Sequence, residues 1–258
     1  MKLKTIVFAV TSILLSGQAV AWGQNGHRVT GAIAEQYLTP QAKQAIANML
    51  GNEDLAEAST YPDEMRSDPS EFWKKTANPW HYVTVPAGHS YHDVEPPKEG
   101  DALTALNSFT STLKDPKASL ADKQLALRFI VHIIGDLHQP LHVGNGTDKG
   151  GNEVKLEFFW QDSNLHRVWD SELMDKRELS YTEWTTILSR KISEKQLKEW
   201  SVTDPQVWIK ESSVLRDSVY PSSNKLSWDY LYQHMPTVQQ RLQMGGVRIA
   251  AYLNEVLE

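Results

Sequence analysis

Residues 125–142 read LALRFIVHIIGDLHQPLH, an apolar run of helical character into which His132 and Asp136 are set four residues apart. That spacing puts both side chains on one face of an α-helix, aimed at the same point. An imidazole and a carboxylate in such apolar company need a partner, because desolvating an unpaired charge is costly. They either pair with each other or share a metal ion. Pro140 cannot continue the helix, so His142 falls just beyond its end and can turn toward a neighbouring site.

Further along the chain, NLHRVWDSEL at 164–173 repeats the pattern, with His166 and Asp170 four apart on a segment of helical periodicity. Two such pairs on separate helices are what a metal site inside a helical bundle requires. Either pair alone reads as well as a structural hydrogen bond. Other candidates stand singly: His27 in WGQNGHR, Asp63 in TYPDEMR and His81 in NPWHYV. By themselves these read as a helix-start histidine, a cap or turn residue and a core histidine.

Periodic apolar positions near 26–50, 100–114, 120–139, 164–176, 181–191, 203–217 and 226–257 predict a mainly α, single-domain multi-helix bundle. Thr39-Pro40, Asp115-Pro116 and Asp204-Pro205 look like helix starts, each a capping side chain beside a proline. Residues 85–100 and 144–152 read as surface loops. Glu153–Trp160 (EVKLEFFW) alternates as a strand, half of one small hairpin. No repeat, low-complexity run or linker divides the chain, so residues 22–258 are expected to form one domain.

The first 21 residues have the layout of a secretory signal: Lys2 and Lys4, an apolar stretch from Ile6 to Leu15, and the small-residue exit Ala19-Val20-Ala21. The stretch is well short of the ~20 residues that a spanning helix needs. A secreted or periplasmic protein cut between Ala21 and Trp22 is expected. The formal charge of the whole chain is −6, and the leader carries off two lysines and no acid. Proteins that grip polyanions through a basic surface are not built this way; if the substrate is a nucleic acid, positive charge must come from elsewhere, and bound metal is the obvious source. With no cysteine, disulfides and thiolate metal sites are excluded, and any metal must be held by nitrogen and oxygen.

The motifs WGxxGH (22–27), PDxxR (62–66), WHYV (80–83), HxxGDxHQPLH (132–142), GGN (150–152) and HxxWD (166–170) occur in this order. Together they resemble the S-one/P-one type of single-strand-specific zinc nucleases, within the zinc phospholipase C/nuclease superfamily. The resemblance implies three zinc ions per chain. One would be held by Asp63, His81, His132 and Asp136. A second would take the amino nitrogen and carbonyl oxygen of Trp22, with His27 and the shared carboxylate of Asp136. The third would be bound by His142, His166 and Asp170. His138 is expected to be a supporting or core residue, and His89, His92 and His234 surface or structural ones.

The same resemblance implies a zinc-activated water as nucleophile, Asp63 as its orienting base, and Arg66 as the group that neutralises phosphate oxygens. Tyr82 would stack on a nucleobase, and Asn152 would contact base or sugar. The expected substrates are single-stranded DNA and RNA, cut to 5′-phosphorylated products, and 3′-nucleotides. Thr84 departs from the family's usual carboxylate at that position, so base preference does not carry over. Two rivals remain: a zinc-dependent phospholipase C, against which Asp170 in place of a glutamate argues, and a non-catalytic exported zinc-binding protein, which would need neither Arg66 nor Asn152.

Overall fold

The computed structural model describes residues 22–258; the leader assigned to residues 1–21, with its cleavage site, lies outside the described residues. Helices α1 (Gln24–Glu35) and α2 (Pro40–Leu50) part at Thr39, whose hydroxyl accepts the Ala42 N–H while Pro40 supplies a pre-set first helical residue. Two single-turn helices follow, α3 (Leu55–Ala58) and α4 (Tyr61–Glu64), then irregular turns leading to strand β1 (Val83–Thr84). Next come α5 (Ala102–Lys114), α6 (Leu120–Asp136), β2 (Val143–Gly144), β3 (Lys155–Phe158) and β4 (Gln161–Asn164). Helices α7 (Leu165–Arg167), α8 (Leu173–Asp175), α9 (Tyr181–Ser189), α10 (Glu194–Trp200) and α11 (Pro205–Ser218) lead to β5 (Lys225–Leu226) and the long α12 (Trp228–Leu257).

Helix α6 is the axis of the molecule. Ser119 caps its start by accepting the Asp122 N–H, and every residue from Phe129 to Asp136 is buried. A helix apolar on all sides must be enclosed by others. Phe109 of α5 stacks on Phe129 with ring centroids 4.5 Å apart, and Trp73 stacks at 5.6 Å. Burying rings of this size contributes on the order of 2–3 kcal/mol each, several times what helix propensity can supply per residue. Packing therefore fixes α6 and the residues it carries. Helix α1 is held to α12 by close approach: a Cβ on Gly246 would lie 2.5 Å from the Ile33 side chain.

The sheets are small. Strand β1 pairs with β2 in parallel, Val83 opposite Val143 and Thr84 opposite Gly144, which ties the His81 segment to the His142 segment. Strands β3 and β4 form an antiparallel hairpin, extended by β5 parallel to β3. Its two-residue turn, Phe159-Trp160, has φ of 47° and 64°, the doubly left-handed geometry of a tight hairpin turn.

The mainly helical bundle with a small hairpin matches the sequence expectation, with three corrections. Asp115-Pro116 does not start a helix: Asp115 ends α5 and folds back to accept the Lys117 N–H, so α6 begins four residues later at the Ser119 cap. Helix α6 stops at Asp136 and not at Pro140, which opens a separate 3₁₀ turn, Pro140–His142. The 164–176 segment is not one regular helix, because a π-helical turn, Val168–Glu172, interrupts it. Helix α10 was not anticipated, although Ser193 and Gln196 form a capping box at its start.

Candidate metal centre

His132 and Asp136 lie fully buried on one face of α6, with His132 Nε2 3.0 Å from Asp136 Oδ2. The other ring nitrogen, Nδ1, is 2.7 Å from the Ser59 carbonyl. A carbonyl can only accept, so Nδ1 carries the hydrogen and the Nε2 lone pair of the neutral ring faces the carboxylate. The same arrangement recurs twice. His142 Nδ1 donates to the His81 carbonyl at 2.7 Å, and His166 Nδ1 to the Gly150 carbonyl at 2.7 Å. In each case Nε2 is left pointing inward, toward Asp170 (3.6 and 3.1 Å respectively). Outer partners that fix the tautomer in this way are characteristic of metal-binding histidines.

Three groups of ligand atoms result, each with its atoms within 4.8 Å of one another: Asp63, His81 and His132; His27, His132 and Asp136; and His142, His166 and Asp170. The first two are contiguous. Asp136 presents Oδ2 to His132 and to His81 Nδ1 (3.3 Å), and Oδ1 to His27 Nε2 (3.2 Å), so one carboxylate reaches both. His81 Nδ1 and His132 Nε2 face each other at 2.7 Å, and the His27 ring stacks on His132 at 4.0 Å. His27 comes from the first turns of α1, Asp63 from α4, and His81 from the turn before β1.

The buried groups act strongly on one another, and burial lowers His27 and His81 against the opposing pull of Asp136. Burial would raise the Asp136 carboxyl, but the surrounding histidines, led by His132 and His142, outweigh it and hold Asp136 well below the usual carboxylate range. Burial opposes charge on His132 and His142 too, yet Asp136 raises both, His142 to about 9. Burial, then the charge on His142, pushes His166 down to about 3, while burial lifts Asp170 to about 7.

The donors fit a metal ion. Asp63 Oδ2, both Asp136 oxygens, both nitrogens of His27, and Nε2 of His142 and of His166 are buried without a hydrogen-bond partner. So many unpartnered polar atoms converging in one region, most of them acceptors, would be costly without a cation. An all-imidazole and carboxylate set with no sulfur suits zinc.

The remaining expected residues border these groups. Arg66 Nη1 lies 3.5 Å from Asp63 Oδ1. Tyr82, next to His81, is 41% exposed; burial of its hydroxyl raises it, with the Arg66 charge opposing. Asn152 closes the 144–152 loop, its side-chain amide donating to the Lys149 carbonyl at 2.8 Å. Trp22 is fully buried, and the following Gly23 N–H donates to the Asp170 carbonyl at 2.7 Å, which fastens the start of the described chain beside the third group. His138 is buried outside the groups, bonded to the Ile134 carbonyl and to Arg248; His89 and His92 are exposed, and His234 is buried.

Gln139 was missed by sequence reasoning. Its side-chain oxygen accepts the Leu141 N–H, which forces its amino group onto Asp170 Oδ1 at 2.6 Å and leaves Oδ2 facing His166. A glutamine among apolar residues next to a metal-type histidine was the available signal. The carbonyls of Ser59, His81 and Gly150 had none.

The family described as S1/P1 nuclease matches residues 22–258, the whole of the described chain. The chain belongs to the S1/P1 nuclease family. Membership makes it a nuclease, a hydrolase of nucleic acid. Among curated relatives it is similar to Endonuclease 3 of Arabidopsis thaliana, 30% identical with 96% of this chain and 94% of that protein covered. It is similar also to Nuclease S1 of Aspergillus oryzae, 26% identical with 97% of each chain covered. Among solved structures, the alpha toxin from Clostridium absonum superposes with a TM-score of 0.54 at 16% identity, covering 93% of this chain. At that identity the likeness concerns the fold alone, and this chain spans 64% of the toxin's length.

Proposed function

We propose that this S1/P1 family member is a secreted endonuclease that holds three zinc ions and hydrolyses single-stranded DNA and RNA to 5′-phosphorylated products, with 3′-nucleotidase activity at the same site. The observation that carries the reading is the three convergent groups of buried nitrogen and oxygen atoms, each with at least one atom left without a hydrogen-bond partner, three of whose histidines are tautomer-fixed by a backbone carbonyl. The first set, with Asp136, would hold one ion; His27, Asp136 and the backbone of Trp22 a second; His142, His166 and Asp170 the third. Bound zinc supplies acidified water and compensates the charge of the phosphate and the leaving oxygen.

The chain's own groups do the rest. Asp63 has one oxygen against Arg66 and one without a donor, which suits it to accept a proton from an attacking water and align it. Arg66 is the cation at hand for the non-bridging phosphate oxygens. Tyr82 offers an exposed ring on which an unpaired base stacks, and paired bases cannot present that face. Asn152 lies on the loop flanking the third group and would contact base or sugar. Cleavage after Ala21 would free the Trp22 amine as a ligand, so export and completion of the site coincide.

The test is zinc quantification on the processed protein beside hydrolysis of denatured DNA, RNA and a 3′-nucleotide, before and after chelation. Three zincs per chain with activity lost on chelation and regained on zinc addition is the expected result. Full activity with fewer than three overturns the scheme. Phosphatidylcholine is the control substrate: cleavage of lipid without cleavage of DNA would overturn the nuclease assignment of the site.

A further inference from the structure

The third group depends on a loop that contributes no side chain to it. Residues 145–154 connect β2, which follows His142, to the hairpin that delivers His166. Within it Lys149, Gly150 and Gly151 are all left-handed, with φ of 54°, 63° and 84°. A Cβ on Gly150 would collide with the Leu141 carbonyl, so only glycine fits there. This run is what turns the Gly150 carbonyl onto His166 Nδ1. Three successive left-handed residues, one of them a lysine, are unfavourable unless the surroundings hold them.

What holds them is a closed polar triangle. Asp148 accepts the Gly151 N–H through Oδ1 at 2.9 Å, and its carbonyl accepts the Glu153 N–H at 3.0 Å. Its Oδ2 accepts the Tyr220 hydroxyl at 2.6 Å and the Asn145 amide at 3.3 Å. The same Asn145 amide donates to the Tyr220 oxygen at 2.9 Å, while Asn145 Oδ1 accepts the N–H and the hydroxyl of Thr147, both at 2.8 Å. Tyr220 arrives from beyond α11, 72 residues along the chain from Asp148.

We propose that Asn145, Asp148 and Tyr220 are positioning residues for the third metal group: the triangle fixes the left-handed run, the run aims the Gly150 carbonyl, and the carbonyl keeps the proton of His166 on Nδ1 and Nε2 open to the metal. The inference rests on reading His142, His166 and Asp170 as a zinc site. Loss of an outer partner of a metal histidine typically weakens the metal by about 10–100-fold. Because the triangle lies one residue further out, the low end of that range is the expectation.

The test compares the processed parent with Tyr220→Phe, which keeps the ring in place, and Asp148→Ala. Bound zinc is measured against a competing chelator, with melting temperature and steady-state kinetics recorded alongside. Both variants should hold two zincs as the parent does and the third about tenfold or more weakly. Their kcat should fall at limiting zinc and recover when zinc is supplied in excess, a rescue that a general loss of structure would not show. Equal affinity for the third zinc in parent and variants overturns the proposal alone. Loss of all three zincs together, in step with a falling melting temperature, also overturns it, since the triangle would then merely stabilise the fold. A parent that holds only two zincs overturns the zinc reading and the proposal with it.

Discussion

Asp63 concentrates the chemistry of the proposed reaction in one carboxylate, because it stands in the first metal group and keeps Oδ2 without a donor. Asp63→Asn preserves shape and removes the basic oxygen. Turnover on denatured DNA should fall by well over tenfold, more than about 1.4 kcal/mol of transition-state stabilisation, with KM changed far less. A kcat within tenfold of the parent would remove Asp63 from the base role. At this scale the sequence was informative where side-chain spacing carries the signal: His132 with Asp136 and His166 with Asp170 can be read from a four-residue interval. His27, Asp63 and His81 could not be placed by spacing, because the fold and not the local chain brings them together; they stood as lone candidates, and only the motif resemblance assigned them as ligands. The carbonyl partners of the histidines were illegible, since every residue has a carbonyl.

Among the elements, α6 has the clearest division of labour, with a cap at one end and the candidate metal ligands His132 and Asp136 at the other. Ser119→Ala removes the acceptor for the Asp122 N–H and should cost about 1 kcal/mol. For a domain of this size that is a fall of about 2–4 °C in Tm, read by calorimetry, with zinc content unchanged; a loss of zinc would mean that α6 moves as a unit when its cap goes. The α1–α12 crossing is less forgiving. Gly246→Val puts methyl groups where Ile33 already sits, and overpacking of this kind costs about 1–3 kcal/mol, so a variant with unchanged Tm would mean that the helices can slide apart. Element existence was legible from periodicity and proline positions. The π-helical turn at Val168–Glu172, within which the Asp170 carbonyl accepts the Gly23 N–H, was not, because no local propensity encodes it.

For the molecule as a whole, three divalent ions would offset most of the formal negative charge, which is −6 for the whole chain and greater once Lys2 and Lys4 leave with the leader, and would let an acidic protein engage a polyanion. Zinc removal should therefore be felt in stability as well as activity. A site filled at a hundred times its dissociation constant contributes about 2.7 kcal/mol, so stripping all three should lower Tm by about 15 °C or more at about 2–4 °C per kcal/mol. An unchanged melting curve after chelation would rule out that coupling. A separate acid dependence comes from Glu211, which bonds Arg241 and Arg248 across α11 and α12. Burial alone would raise its carboxyl, but the two guanidinium groups, Arg248 foremost, outweigh burial and hold it below the usual glutamate range. The ionised form thus favours the fold, with its contribution complete above the ordinary glutamate pKa and lost as pH falls through the lowered folded value. In urea unfolding, the stability gap between the parent and Glu211→Gln should be widest near pH 7 and shrink below pH ~4; a gap that does not change with pH would contradict this. That network was invisible in the sequence, where the partners are thirty or more residues apart.

The carbonyls that hold His132, His142 and His166 belong to Ser59, His81 and Gly150, which stand 73, 61 and 16 residues from the rings they orient. A chain that has formed its helices but not yet brought these strands of backbone together leaves each ring free to carry its proton on either nitrogen. Tight metal capture at the proposed site would then require several such contacts at once, and would act as a coincidence detector for completed folding. On the proposed zinc reading, finished molecules would take scarce zinc first and be stabilised by it, while copies with these contacts unmade would stay empty.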